Sequence, residues 1–181
     1  MAFTVQTNPP TVDANAYISA AYFRDYHAER GRDLSSTITY PDTMVQAAIV
    51  NATQYLDIRF EFAGYRVEAD QTTEWPRSAA FNCRGDRVVG IPRAVQQATA
   101  EYAYRALTST LLSDPDQDSS GRVVKSKSET VGPISERIEY SEYQGYVMPA
   151  YPLADKLLLS QCIAIDNEKK SGLSSGDLGR S

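Results

Sequence analysis

The most regular acidic spacing in the chain is DPDQDSSG, residues 114–121, with aspartates at Asp114, Asp116 and Asp118. Those are the first, third and fifth oxygen ligands of a calcium loop, which also needs glycine at the sixth position and a bidentate glutamate at the twelfth. Here the sixth is Ser119 and the twelfth is Lys125, so a cation would meet an ammonium group where it needs a carboxylate. The stretch reads as a solvated hinge. His27 is the only histidine, which excludes multi-histidine metal centres. Asp25 and Glu29 flank it, but residues two apart on a helix point in different directions. A nucleophilic pair of Cys83 with His27 has no local support in the sequence. Phosphate-binding glycine loops, nucleophile elbows and kinase signatures are missing. The acids Asp57, Glu61, Glu68, Asp70 and Glu74 read as solvated surface. The expectation is a protein that is not an enzyme, with no cofactor, no metal and no catalytic residue.

Charge narrows the partners. The chain has 181 residues and a formal net charge of −5, whereas a phosphate-gripping protein normally shows a basic surplus or stripe. Every basic side chain before position 113 is arginine, and all five lysines come later. Arginine suits fixed bidentate pairing at interfaces, and twelve tyrosines lean the same way. Cys83 and Cys162 are far apart in sequence and read as two buried thiols of a protein kept in a reducing cytosol. The first residues lack the basic start and apolar core of a signal peptide, and no apolar run reaches membrane-spanning length, so no membrane partner is expected.

These residues must be carried by a few elements. Residues 1–14 are an extended lead-in and 15–112 a helical core. Its first helix covers about 15–30, with Ile18, Ala21, Tyr22 and Tyr26 at helical spacing. A second runs from Pro41 to about Arg59 on the stripe Val45, Ala48, Ile49, Ala52, Tyr55 and Leu56. Residues 64–92 read as an irregular connection, anchored to the core by Trp75 and Arg77, with Arg84-Gly85-Asp86 as a turn. A third helix opens at Pro92, apolar over much of its girth. After the hinge at 113–121, residues 122–145 alternate with period two and break at Gly132-Pro133, giving a hairpin or extended arm. Residues 146–165 contain a short C-terminal helix with Leu153, Leu157, Leu158 and Cys162 on its apolar side, and 166–181 have the composition of a disordered tail. The fold class expected is mainly α: three core helices plus a C-terminal helix, with an extended β-hairpin arm.

The series AYISAAYFRDYHAERG, VQAAIVNATQYLDIRFEFAGYR, EWPR and IPRAVQQATAEYAYRAL resembles a phage family often labelled DnaT-like single-stranded DNA-binding. Proteins of this pattern resemble the head–tail connectors, or adaptors, of tailed bacteriophages. The likeness covers residues 15–112 best, and Trp75-Pro76-Arg77 followed by Ile91-Pro92 is its most specific part. It implies a homo-oligomeric ring, a dodecamer where it matches the portal protein, made in the host bacterial cytoplasm and placed in the virion between portal and tail or nozzle proteins. DNA then only passes through the channel. In such a ring Val124, Ile134, Ile138 and Tyr140 would form the oligomer-interface arm, completed by strands from neighbours. Leu153, Leu157 and Leu158 would form the portal contact. The alternative takes the label literally, as a single-stranded DNA-binding protein of phage replication, which requires a basic groove with aromatic stacking platforms.

Overall fold

The computed structural model describes residues 2–35, 39–112, 124–130, 135–140, 149 and 151–167. Two compact units divide the chain: Met1–Leu111 with Pro149–Ser181, and Leu112–Met148.

In the larger unit, helix α1 spans Ala20–Ala28 and starts where the Ser19 hydroxyl accepts a hydrogen bond from the Tyr22 amide at 3.1 Å. Helix α2 spans Asp42–Arg59 and α3 spans Arg93–Ala106; each follows a proline with extended backbone, Pro41 and Pro92. Both helices have a proline where a side-chain cap would sit, and Asp42 places a carboxylate at the positive end of α2. Arg24 of α1 donates to the Tyr40 carbonyl at 2.8 Å and pairs with Asp42 at 2.7 Å, tying α1 to the start of α2. The core is the α2 stripe of Val45, Ala48, Ile49, Ala52 and Leu56 against Val95, Ala98, Tyr102 and Ala103 of α3, all buried. Alanine at these positions lets the helix axes approach closely, so the larger side chains of each fill the gaps of the other. Helix α4, Pro152–Leu159, packs on α3 through Ala154 and Leu158.

Strands complete this unit. Strand β1, Phe60–Phe62, continues directly from α2 as the backbone turns extended at Phe60, with Phe60 and Phe62 buried and Glu61 outside. Its partner is the last described strand of the chain, Ala164–Asp166, antiparallel with Phe60 opposite Asp166 and Phe62 opposite Ala164. Between them in sequence, β2 (Tyr65–Arg66) pairs antiparallel with β3 (Arg77–Ser78). Gly64 makes that turn possible: its φ is +78°, and a Cβ there would lie 2.3 Å from the Ser78 carbonyl oxygen.

In the smaller unit, β4 (Val124–Thr130) and β5 (Ser135–Tyr140) form an antiparallel pair with an irregularity between Val124 and Ser126, which makes the Ala164–Asp166 strand β6. The hinge at 113–121, Ile134 and the tail from 168 lie outside the described residues.

The expectation of a mainly α bundle is therefore corrected. Among the described residues, four helices combine with three two-stranded antiparallel sheets, a mixed α/β fold. Two of those sheets fall where the sequence was read as irregular connection or as helix. Strands of two or three residues are too short to show a period, and β6 continues the apolar run of α4 without a break in composition. The C-terminal helix accordingly ends at Leu159 rather than near 165.

Candidate partner-binding surface

The connection 64–92 is held from below by Trp75 and Arg77. Trp75 is fully buried, with its ring edge-to-face on Phe62 at 5.8 Å. Its amide donates to the Tyr17 hydroxyl at 3.1 Å, and that hydroxyl donates to Asp57 at 2.5 Å. Arg77 donates to the carbonyls of Ala63 at 2.9 Å and Gly64 at 2.6 Å and pairs with Glu74, so one guanidinium ties three points of the loop.

Asp57 has no cation directly on it. Burial pushes its carboxyl up to about 7, against the hydrogen bonds from Tyr17 and the Glu74 amide that favour the ionised form. The folded chain holds this proton where the unfolded chain has lost it. Its contribution to stability is complete below about pH 4 and falls as pH rises through 7, by at most about 1.4 kcal/mol per pH unit for one proton. His27 works in the opposite sense: burial lowers its pKa, so its contribution is lost as pH falls below the usual histidine range. Urea unfolding from pH 4 to 8 for the native chain and for Asp57→Asn is expected to differ by this falling slope. Parallel curves would contradict the assignment.

A second buried cluster was invisible in the sequence. Arg59, at the end of α2, donates to Asp155 at 3.0 Å and Asp166 at 3.1 Å, and to the Pro149 carbonyl at 2.6 Å. Tyr102 donates to the other oxygen of Asp155, and Asp155 also accepts from the Tyr151 amide at the start of α4. This network joins α2, α3, α4 and β6 at one guanidinium. In a third cluster, buried Glu101 accepts from Tyr26, Arg32 and Arg105, each at 3.2 Å. Burial alone would raise the Glu101 carboxyl, but Arg32 and Arg105 hold it below its ordinary value. His27 lies beside it, fully buried, with Nε2 3.1 Å from the Ala100 carbonyl and Nδ1 3.2 Å from Arg32. The neutral tautomer with Nε2–H donating and Nδ1 accepting satisfies both contacts. This is a packed core histidine.

The two cysteines correct a further expectation. They are not buried thiols: Cys83 and Cys162 are both exposed and form a disulfide, with Cα atoms 5.1 Å apart across 79 residues of sequence. A sequence separation of this size carries no pairing signal, because only the folded chain brings the two turns together. Among the described residues no group of three or more His, Cys, Asp or Glu is placed to hold a metal ion, and no helix is long and apolar enough to cross a membrane. Asp114, Asp116 and Asp118 lie outside them.

What remains outside is distinctive. Seven of the ten arginines before residue 113 form ion pairs within the chain: Arg24, Arg30, Arg32, Arg59, Arg66, Arg77 and Arg105. Arg84, Arg87 and Arg93 make none among the described residues and are exposed. Tyr65 is 75% exposed and lines a shallow cleft of about 340 Å³ with Ala79 and Ile165. Phe81, two residues beyond Ala79, is 51% exposed and is bridged antiparallel to Arg87. The surface therefore offers two aromatic rings and two unpaired arginines on one connection. Of the residues expected at a portal contact, Leu153 is exposed, Leu157 half-buried and Leu158 fully buried, so a partner reaching α4 meets the first two while Leu158 belongs to the core. On the hairpin, Val124 stands opposite Tyr140 and Ile138 opposite Lys127.

The molecule is thus a mixed α/β protein in which, among the described residues, seven of the ten arginines before residue 113 are paired internally and the most exposed rings, Tyr65 and Phe81, lie on one connection. Residues 1–177 match the family model described as "Putative DnaT-like ssDNA binding protein", and the chain belongs to that family. No curated protein and no solved structure matches it.

Proposed function

We propose that this chain is a structural connector of a tailed bacteriophage, forming a homo-oligomeric ring under the portal protein and joining it to the tail. The observation that supports this reading most is the β4–β5 hairpin. Its strands of seven and six residues form a two-stranded sheet within the unit Leu112–Met148, and a two-stranded ribbon by itself is marginal in water. Added strands from neighbouring copies would complete such a ribbon, and head-to-tail contacts of this kind make a ring when the rotation between copies closes. Internal pairing of seven of the ten arginines before residue 113 supports it too, since those guanidinium groups are taken up within the chain. In this reading Leu153 and Leu157 face the portal protein, and DNA passes through the channel without being gripped. The test is quantitative mass spectrometry of purified particles of the phage that encodes the chain. A copy number equal to that of the portal protein is the expected result, and absence from particles would overturn the proposal.

The family description favours a second reading, single-stranded DNA binding, and Tyr65, Phe81, Arg84 and Arg87 are the residues that fit it. Bases would stack on the rings while the arginines neutralise phosphates. On that reading, oligothymidine binding weakens with salt by about 0.7 log units per tenfold salt for each phosphate neutralised. Arg84→Ala with Arg87→Ala would then flatten the dependence. No measurable binding at low salt rejects this reading and leaves the connector.

A further inference from the structure

The disulfide lies between two segments that each hold their own shape. The turn around Gly85 is closed by the Asn82 amide donating to the Asp86 carbonyl and the Gly85 amide donating to the Asn82 carbonyl, both at 3.0 Å. The Asn82 side-chain oxygen also accepts from the amides of Arg84 at 2.9 Å and Asp86 at 3.0 Å. Opposite it, the end of α4 is closed by Gln161 donating to Leu158 at 3.1 Å and Cys162 donating to Leu159 at 3.2 Å. Beyond that, Ile163 is buried and β6 is paired to β1. Among the described residues the polar and covalent ties that cross between these segments all start at Cys83: the Cys83–Cys162 bond, the Cys83 amide donating to the Gln161 carbonyl at 3.1 Å, and Cys83 Sγ lying 3.5 Å from the Ser160 carbonyl oxygen. Asn82 and Val88 on one side and Leu157, Ser160 and Gln161 on the other line a cleft of about 360 Å³.

We propose that Cys83–Cys162 is a reversible latch that sets the width of this cleft. Both cysteines are exposed, so small thiols and disulfides reach them. Closure takes one molecule of oxidised glutathione. One cysteine thiolate attacks it, forming a mixed disulfide and releasing one glutathione thiolate. The second cysteine thiolate then displaces the other. Two electrons pass from the protein to the glutathione disulfide, two protons leave the cysteines, and two reduced glutathiones result. Opening is the reverse. With the bond open, the amide hydrogen bond and a weak contact of the Cys83 thiol with the Ser160 carbonyl are the polar ties left between the turn and the end of α4. The Leu157 side of the cleft then becomes more accessible, while both segments and the β1–β6 pair keep their structure.

The test uses the full chain in glutathione buffers of graded ratio. Alkylation and mass measurement count free thiols, and amide exchange is followed residue by residue. The two thiols are expected to titrate together as one two-electron couple. In the reduced form the Cys83 amide should exchange at least tenfold faster, while the Gln161 amide and the Ala63 amide, which donates to Ile163 at 2.9 Å, stay protected. Cys162→Ser should reproduce the reduced pattern without any reductant. Unchanged exchange at Cys83 on reduction overturns the latch, as does failure of the thiols to oxidise. Loss of protection at Ala63 as well would also overturn it, because the bond would then be a staple of the whole fold.

Discussion

Arg59→Met is expected to destabilise the chain by about 3–5 kcal/mol. The guanidinium is 3% exposed and sits between Asp155 and Asp166, which are themselves nearly inaccessible. Removing it takes the guanidinium from between two buried carboxylates, and takes one hydrogen bond each from the Pro149 carbonyl and the Tyr55 hydroxyl, which still bond each other at 2.8 Å. The cost comes from taking the shared positive charge away from two buried carboxylates more than from the lost bonds. Adding Asp166→Asn to Arg59→Met should therefore recover part of the loss. Urea midpoints of the single and double variants at pH 7 measure both. A loss below about 1 kcal/mol at pH 7 would mean that water reaches the cluster and screens it.

Trp75→Ala is expected to cost a similar amount, about 3–5 kcal/mol, for a different reason. Its ring is fully buried and packs on Phe62, and its backbone is the link through which Tyr17 reaches the connection. Truncation leaves a cavity under residues 64–92, and the exposed Tyr65 and Phe81 lose their support. Trp75→Phe is expected to cost much less, about 1–2 kcal/mol, because it keeps most of the ring volume. The indole Nε1 also has no acceptor among the described residues, so that substitution breaks no hydrogen bond there. Far-UV circular dichroism during denaturation gives both values without depending on the single tryptophan as a probe. Equal losses for the two variants would show that the indole, rather than filled volume, holds the connection.

Local signals were legible where physics acts over a few residues. The apolar stripe of α2, the prolines ahead of α2 and α3, and the period-two pattern over 124–140 each follow from backbone geometry and need no distant partner. What the folded chain alone decided depends on pairing across long separations. Arg59 meets Asp166 across 107 residues, Phe60 pairs with Asp166, and Cys83 meets Cys162 across 79. None of these partners has a periodic or compositional mark. An arginine that ends a helix looks the same whether it enters solvent or a buried carboxylate pair. A three-residue strand is too short to oscillate. The class therefore moved from mainly α to mixed α/β through its shortest elements. The sequence determined where the longer helices α2 and α3 and the ribbon form, because hydrophobic period and proline act locally. The tertiary structure decided which charges are consumed inside and which rings and arginines stay outside, because those depend on how distant segments pack together.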